Sequence, residues 1–442
     1  MRNPTEGRVP ETNDEDYKIG KKYLSELPLT FEELFEEGEN PYDKKRFFKL
    51  LLWAESDEIE MLVEDLLDEY QADYKPIRYH STLPLYRDIL KVILCNALAY
   101  KGMDIIVSLR SPTYSIDKRY NPSHMSYRIT LNLLEFLDHQ GYINLYRGDR
   151  GSTGTQRRSM FNANSSLLNM LDTYGVKYNM LTTHSASETV ELKKADKLTG
   201  YFDEDITLWR REMLNRYNVL LNVSRRHIAI LGESSREPIL MRCRFHDNFG
   251  RGGRVYGGLW QNTKKADRKT ITLYDQETVE VDIQNCSLSM AMHLEGFEIE
   301  GDLYAIRDYP RELVKIAVQV MFNLTAASDK DGINKAANSL VKETGEDKEY
   351  LKQMVRDIHV HYQCISSWFF TGQGLRLQFY DSQVCFRVIE EFVKAERVVL
   401  TIHDSFIVAR EDQGLLMEVM LESYRYYLGK EPVLRVEEGY LL

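Results

Sequence analysis

The stretch Val398-Val-Leu-Thr-Ile-His-Asp-Ser-Phe-Ile-Val408 decides the fold of the C-terminal half of the chain. Two apolar, β-branched runs flank the polar tip His403-Asp404-Ser405 and leave no room for a long loop. This pattern predicts a tight hairpin that lifts the carboxylate of Asp404 out of a buried sheet. An aspartate at a hairpin tip is usually just a turn former, so the interpretation needs a second acidic strand.

That second strand is Thr278-Val-Glu-Val-Asp-Ile283, which lies well upstream. Its period-two alternation places Glu280 and Asp282 on one face and the branched apolar residues on the other. Two buried aspartates repel each other unless a cation sits between them. Two Mg²⁺ ions would suit such a pair, since one lowers the pKa of an attacking hydroxyl and both hold nucleotide phosphates.

A cationic helix lies between the two acidic strands in the sequence. The segment Arg311-Glu-Leu-Val-Lys315-Ile-Ala-Val-Gln319-Val-Met-Phe-Asn323 predicts a helix with Arg311 and Lys315 one turn apart. Two cations at this spacing repel mildly, and they become favourable if an anion such as a triphosphate lies across them. Two solvated cations at the start of a helix would give the same pattern, so this alternative stays open.

Taken in order, these segments resemble the family A DNA polymerases and the related phage and mitochondrial single-subunit RNA polymerases. The matching segments are Gly250–Tyr256, Asp282, Arg311-x3-Lys315-x7-Asn323 and His403-Asp404-Ser405. The resemblance covers roughly residues 241–442 and implies an α+β fold with a right-hand polymerase core of palm and fingers. In the first segment, glycine would let the backbone approach template or primer, and Arg254 would contact phosphate or base.

The resemblance also implies a catalytic set. Asp282 and Asp404 would hold two Mg²⁺ ions, with Mn²⁺ as an alternative. Arg311 and Lys315 would neutralise the incoming triphosphate, and His403 would orient the primer end.

Four residues depart from the DNA polymerase pattern, and three of them belong to the implied nucleotide-binding site. Ser287 stands where those enzymes carry a glutamate that crowds the 2′ position of a ribonucleotide. Asn323 replaces a tyrosine, and Gln319 replaces its aromatic neighbour. Ser405 replaces the glutamate that follows the second aspartate. The lost bulk favours tolerance of ribonucleotides, and the lost aromatic surface predicts lower fidelity.

Residues 81–175 form a separate predicted unit. An amphipathic helix, a helix that opens near Ser123, a strand over 142–147, a glycine-rich tip and a returning strand follow one another. This order resembles a winged helix-turn-helix domain, whose recognition helix enters the major groove and whose wing meets phosphates. The matching basic residues are Arg128 on the helix and Arg147, Arg150, Arg157 and Arg158 on the wing. A solvated hairpin that happens to carry four arginines is the alternative.

The remaining segments are an arm and a connector. Residues 1–80 hold 21 acidic and 11 basic side chains, so most of the net charge of −11 lies there. Thr30–Tyr70 is predicted to be helical, as a support or as an arm that binds a protein partner. Residues 176–240 are predicted to be a helical connector or a thumb-like region, with a basic helix over Ile206–Val223 and a linker over Lys193–Leu198.

The bulk composition favours a cytoplasmic protein. Five scattered cysteines without CxxC spacing argue for a reducing compartment and against a structural zinc site. The apolar runs are far shorter than a membrane span, and the N-terminus lacks a signal-peptide core, so no membrane partner is predicted.

The sequence therefore predicts a template-directed nucleic-acid polymerase without a proofreading domain, working on a DNA (or RNA) template and primer with dNTPs or NTPs. Three alternatives stay open: a single-subunit RNA polymerase or primase, a non-catalytic DNA-binding replication initiator, and a template-independent nucleotidyltransferase. Retention of both aspartates with Lys315 argues against the initiator, because a relic has no need to keep them.

Overall fold

The computed structural model describes residues 45–148, 158–234 and 237–440. The predictions for residues 1–44 and for Arg150 and Arg157 lie outside the described residues. The described chain is a mixed α+β protein with two apolar cores, one built from residues between Leu52 and Leu181 and one from residues between Val190 and Leu428. No helix in these ranges is long and apolar enough to cross a membrane.

The N-terminal core is built from helices and short strands. Its helices are α1 (Asp57–Glu69), α2 (Leu83–Ala99), α3 (Tyr127–His139) and α4 (Ser165–Thr173). Its strands are β1 (Lys45–Phe47), β2 (Leu52–Ala54), β3 (Asp104–Ile106), β4 (Ile143–Tyr146), β5 (Met160–Ala163) and β6 (Leu181–Thr183). The sheet order is β1-β3-β5-β4, and β2 pairs separately with β6. The elements α2, α3, β4 and β5 follow the predicted order, and strand β3 between the two helices was not predicted. The winged-helix assignment itself stays a prediction.

The helix predicted across residues 30–70 is wrong for its central part. Residues Lys45–Phe47 and Leu52–Ala54 are strands, and the helix begins only at Asp57. Leu52, Trp53 and Ala54 are all buried, and this segment pairs with β6 as a covered strand. The boundary at residue 80 stays a prediction, although side chains on both sides of it share one core.

The second core contains the remaining elements. Its helices are α5 (Asp205–Ser224), α6 (Lys265–Arg268), α7 (Cys286–Leu294), α8 (Arg311–Asn323), α9 (Asp329–Thr344), α10 (Lys348–His361), α11 (Gly374–Lys394) and α12 (Gln413–Leu428). Its strands are β7 (Val190–Lys194), β8 (Lys197–Leu198), β9 (Ile228–Ile230), β10 (Glu233–Ser234), β11 (Arg242–His246), β12 (Asn248–Tyr256), β13 (Thr272–Leu273), β14 (Gln276–Ile283), β15 (Val399–Ile402), β16 (Ser405–Ala409) and β17 (Leu434–Glu438).

Two sheets organise this core. The larger has the order β10-β9-β13-β14-β16-β15, with β17 also paired to β14. The smaller has the order β12-β11-β7-β8. The linker predicted for Lys193–Leu198 is wrong, because these residues form the β7–β8 hairpin. Strand β7 runs parallel to β11, a partner too distant in sequence for local patterning to reveal.

The hairpin predicted at Val398–Val408 is present as β15 and β16. Ile402 pairs with Ser405, so only His403 and Asp404 form the turn. His403 has φ of 52°, and a positive φ at the first turn position is typical of the tight turns that match strand twist. The turn therefore presents Asp404 at the end of the central strands.

Candidate functional site

The strand register brings Asp282 and Asp404 together. Strand β14 pairs antiparallel with β16, and Asp282 lies opposite Ser405, the neighbour of Asp404. The backbone N–H of Ile283 donates to the carbonyl oxygen of Asp404 at 3.2 Å. Both aspartates are half-buried at the same end of the sheet. The two carboxylates predicted from sequence to converge thus lie on adjacent strand ends.

The cations around Asp282 and Asp404 neutralise their negative charge only in part. Neither carboxylate forms a hydrogen bond or an ion pair with another side chain in the described part of the chain. Burial raises the pKa of Asp282 to about 7, and the charges of Asp404 and Glu280 raise it further than Lys265 and Lys315 lower it. A carboxyl group in this position favours a bound cation.

A third carboxylate, Asp381 on α11, lies beside the pair and was not predicted. The Nε of Arg254 donates to its Oδ2 at 2.6 Å, and the side chain of Asp381 is almost fully buried. Burial raises the pKa of Asp381 to about 6, the Arg254 guanidinium opposes this shift, and Asp404 adds to it. Arg254, predicted to touch nucleic acid, is therefore also the counter-charge of a buried acid.

A buried arginine fixes the backbone next to Arg254. Arg210 is fully buried, and it donates to the carbonyl oxygen of Gly253 at 2.9 Å and to Oγ of Ser382 at 3.0 Å. Gly253 has φ of +86°, and an added Cβ would come within 2.8 Å of Ser382 Oγ. This position therefore needs glycine, and its contacts hold Arg254 against α11.

His403 is placed as a neutral group. Its ring packs edge-on against Tyr256, with centroids 5.2 Å apart. Burial, with a smaller contribution from Arg254, lowers the pKa of His403 to about 3. Its Nδ1 is buried and has no hydrogen-bond partner among the described residues. The imidazole can therefore offer a neutral donor or acceptor to a ligand at the strand ends.

Helix α8 has the predicted bounds, and its two cations differ in their surroundings. Arg311 pairs with Asp302 at 2.6 Å and with Glu312 at 3.0 Å. Lys315 is exposed and forms no ion pair within the described ranges. Its charge nevertheless reaches Asp282, whose pKa it lowers slightly. Exposed pairs such as that of Arg311 are weak, so an anion can compete for both cations.

Two of the predicted nucleotide-binding residues, Arg311 and Gln319, interact with the buried Tyr304. The side chain of Gln319 acts to lower the pKa of Tyr304, against the rise that burial causes, and the Tyr304 ring centroid lies 5.3 Å from the Arg311 guanidinium carbon. Asn323 donates to the carbonyl oxygen of Gln319 at 2.8 Å. Ser287 is half-buried in the first turn of α7. Tyr304 comes from the loop before α8, and its position was not foreseen because loop paths are not encoded in local periodicity.

Ser405 is tied to Glu280. Its Oγ donates to Oε1 of Glu280 at 2.8 Å, and Arg268 binds the same carboxylate through two nitrogens at 3.1 and 3.0 Å. Glu280 is therefore already compensated, which distinguishes it from Asp282 on the same face of β14.

The predicted wing and recognition-helix arginines belong to the N-terminal core, apart from the core that carries the aspartates. Arg128 is exposed on α3, and Arg147 forms an ion pair with Glu135. Arg158 follows the undescribed tip and also has a bonded or electrostatic partner. Their role in binding nucleic acid stays a prediction.

The donor set at Asp282 and Asp404 fits a hard divalent cation. Carboxylate oxygens are the ligands that Mg²⁺ prefers, and Mg²⁺ usually takes one or two carboxylates together with water and substrate phosphates. In the described residues no group of three or more His, Cys, Asp or Glu side chains could hold a metal ion. The arrangement is thus an open two-carboxylate site and not a closed structural cage.

No family model matches the chain, and no curated protein matches it in sequence. Among solved structures, the POL domain of Pol1 from M. smegmatis in complex with DNA primer-template and dNTP matches with a TM-score of 0.32 and 11% sequence identity. That match covers 88% of this chain and 67% of the other. A TM-score this low establishes neither a shared fold nor a shared activity.

Proposed function

We propose that this chain is a template-directed nucleic-acid polymerase that joins nucleotides to a 3′-hydroxyl and releases pyrophosphate. The observation that carries the proposal is the pair Asp282 and Asp404, adjacent on two strand ends and without an ion pair to any side chain that the structure describes. The neighbouring Asp381 is neutralised by an ion pair with Arg254, whereas Asp282 and Asp404 have no such partner among the described residues. Leaving two acids open is expected of a site that takes up cations.

In this proposal Asp282 and Asp404 hold Mg²⁺, or Mn²⁺. The bound ions supply Lewis-acid stabilisation of the hydroxyl and the phosphates. Lys315, with no ion pair of its own, attracts the negative triphosphate, and Arg311 exchanges its surface pairs for the same anion. Neutral His403 orients the primer end by hydrogen bonding, without adding charge beside Arg254.

The choice of sugar is part of the proposal. Ser287 leaves more space than a glutamate would at the implied 2′ position, which supports use of ribonucleotides as well as deoxynucleotides. The N-terminal core is proposed to bind duplex DNA through Arg128 and the arginines of the β4–β5 hairpin.

Primer extension tests the activity. A labelled primer on a template with a 5′ overhang is incubated with Mg²⁺ and either dNTPs or NTPs. The wild-type chain is expected to extend the primer, Asp282→Asn to lose extension, and Asp275→Asn to retain it. Asp275 is the matched control because it lies in the turn at the other end of β14, exposed, with a φ of 61° that asparagine also accepts.

Full extension by Asp282→Asn would contradict the metal assignment. Extension of the primer when the template overhang is omitted would replace template-directed synthesis with template-independent transfer. Strict use of dNTPs would refute the relaxed choice of sugar while leaving the polymerase proposal in place.

A further inference from the structure

The smaller sheet of the second core has one apolar and one charged face. Side chains of β7, β11 and β12 on the first face, such as Leu192, Phe245 and Val255, are buried in the core. The opposite face is named here the basic face and consists of Glu191, Lys193, Arg242, Arg244 and His246. Arg244 lies directly across from Glu191, and His246 lies across from Lys193.

The basic face holds more positive charge than its acid neutralises. Glu191 is 2% exposed and accepts hydrogen bonds from Arg242 at 2.8 Å and from Arg244 at 2.7 Å. Lys193 is 4% exposed, and its side-chain ammonium forms no hydrogen bond or ion pair with any residue that the structure describes. Burial and the neighbouring Arg244 lower the pKa of Lys193 to about 8. Burial, Lys193 and Arg244 likewise lower the pKa of His246.

A largely buried lysine beside Arg244 and without an ion pair costs folding free energy, because the attraction of Glu191 and Asp196 offsets its desolvation only in part. The acids nearest the far end are Asp196 and Asp247, which lie in the two hairpin turns. They act on Lys193 and His246 only as weaker, opposing charges. The stability of the fold therefore does not explain why a lysine stands at position 193.

The basic face is continuous with the acidic strand ends. The guanidinium carbon of Arg244 lies 5.3 Å from the centroid of the Tyr256 ring, and this ring packs on His403. Arg254, opposite Arg244 in the register, reaches Asp381 beside Asp404. A strand laid along the face would thus arrive with its end at His403.

We propose that the basic face binds the sugar–phosphate backbone of the nucleic-acid strand whose end lies at His403 and Asp404. This inference rests on the proposed polymerase function. From Arg242 to His246 the face extends about 13 Å at strand spacing, which is long enough to contact consecutive phosphates of one nucleic-acid strand. A single free nucleotide is too short to reach all of these cations.

The experiment compares Lys193→Met with Lys194→Met, which removes the same charge from the adjacent, exposed residue of the same strand. Binding of a fluorescein-labelled primer–template duplex is followed by anisotropy over a range of salt, without nucleotide or divalent metal. Lys193→Met is expected to bind about eightfold more weakly near 0.1 M salt, with the slope of log K against log salt smaller by about one. Lys194→Met is expected to bind like the wild type.

Thermal melting at pH 7 separates binding from folding. Lys193→Met is expected to melt at the same temperature as the wild type or higher, because an uncompensated charge has been removed. Unchanged affinity and slope, equal losses in both variants, or weaker binding together with earlier melting would each overturn the inference. If Lys193→Met does not fold, Arg242→Gln is measured in its place, because Glu191 keeps Arg244 as its partner. Weaker duplex binding by Arg242→Gln would support the inference, and unchanged binding would overturn it.

The two proposals can fail separately. A wild-type chain that extends primers while Lys193→Met binds duplex normally would refute only the basic face. A wild-type chain that binds duplex through Lys193 and does not extend primers would refute the polymerase function and leave the basic face standing.

Discussion

Two regions of the second core hold like charges together, and they differ in extent. Asp282 and Asp404 lie at one point, on the ends of two adjacent strands. The cations around Lys193 are spread along β7 and β11. Between these regions, Asp381 and Arg254 form a compensated pair. The two neighbouring aspartates are suited to bind small cations, and the extended set of cations is suited to bind a polyanion. The ion pair of Asp381 with Arg254 between them has a structural role.

The largest expected effect comes from removing the acidic point. Asp404→Asn is expected to lower the rate of primer extension by at least about 10³-fold, since metal stabilisation of the transition state is worth several kcal/mol. Stability should be unchanged or higher, because Asp404 raises the pKa of Asp282 by repulsion. Single-turnover extension and thermal melting measure the two effects. Lower activity with an equal loss of stability would instead assign Asp404 to folding.

Breaking the compensated pair should act on stability. Asp381→Asn leaves Arg254 without its counter-charge in a largely buried position and is expected to reduce the free energy of unfolding by about 3 kcal/mol. The double variant Arg254→Met with Asp381→Leu should recover much of this loss, because neither charge is then buried alone. Urea unfolding measures both. A neutral Asp381→Asn would show that the pair is not structural.

Magnesium should stabilise only the chain with an intact acidic point. Without nucleotide, Mg²⁺ at ten times its dissociation constant is expected to stabilise the wild type by about 1.4 kcal/mol. Asp282→Asn should lose this gain, and Asp275→Asn should keep it. Thermal melting with and without chelator provides the measurement. Equal stabilisation of all three proteins would place the bound metal elsewhere.

The smallest effect concerns pH and the basic face. The pKa of Lys193 is about 8 in the folded chain, below its ordinary 10.5, so between these values the folded state binds fewer protons than the unfolded state. Wild-type stability should therefore rise as pH increases from 8 to 10.5. Lys193→Met, which lacks this titration, should be more stable at pH 7 by about 1 kcal/mol after solvent screening, with the gap closing above pH 8. Arg244, Glu191 and Asp196 are the charges that act on Lys193. A gap that does not change with pH would contradict this account.

Secondary-structure elements were predicted correctly from the sequence where residues close together in the chain determine them. The β15–β16 hairpin, β14 and the bounds of α8 follow from alternation, a short polar tip and helical periodicity. Asp381 was missed, although an acid on the buried stripe of α11, one turn from Leu377 and Cys385, was a readable signal. Lys193 was misassigned to a linker because its strand becomes recognisable only beside β11. The pairing of Arg254 depends on tertiary packing that no local pattern encodes.

Strand β14 has a consequence for how the chain reaches its folded state. It is paired on both sides, with β16 and β17, and these partners come far later in the sequence. The bond between Ser405 and Glu280 spans 125 residues. Contacts between residues so far apart in the sequence form slowly during folding. Until they form, the segment that carries Val279, Val281 and Ile283 has unpaired strand edges, and we expect partly folded chains to be prone to aggregation.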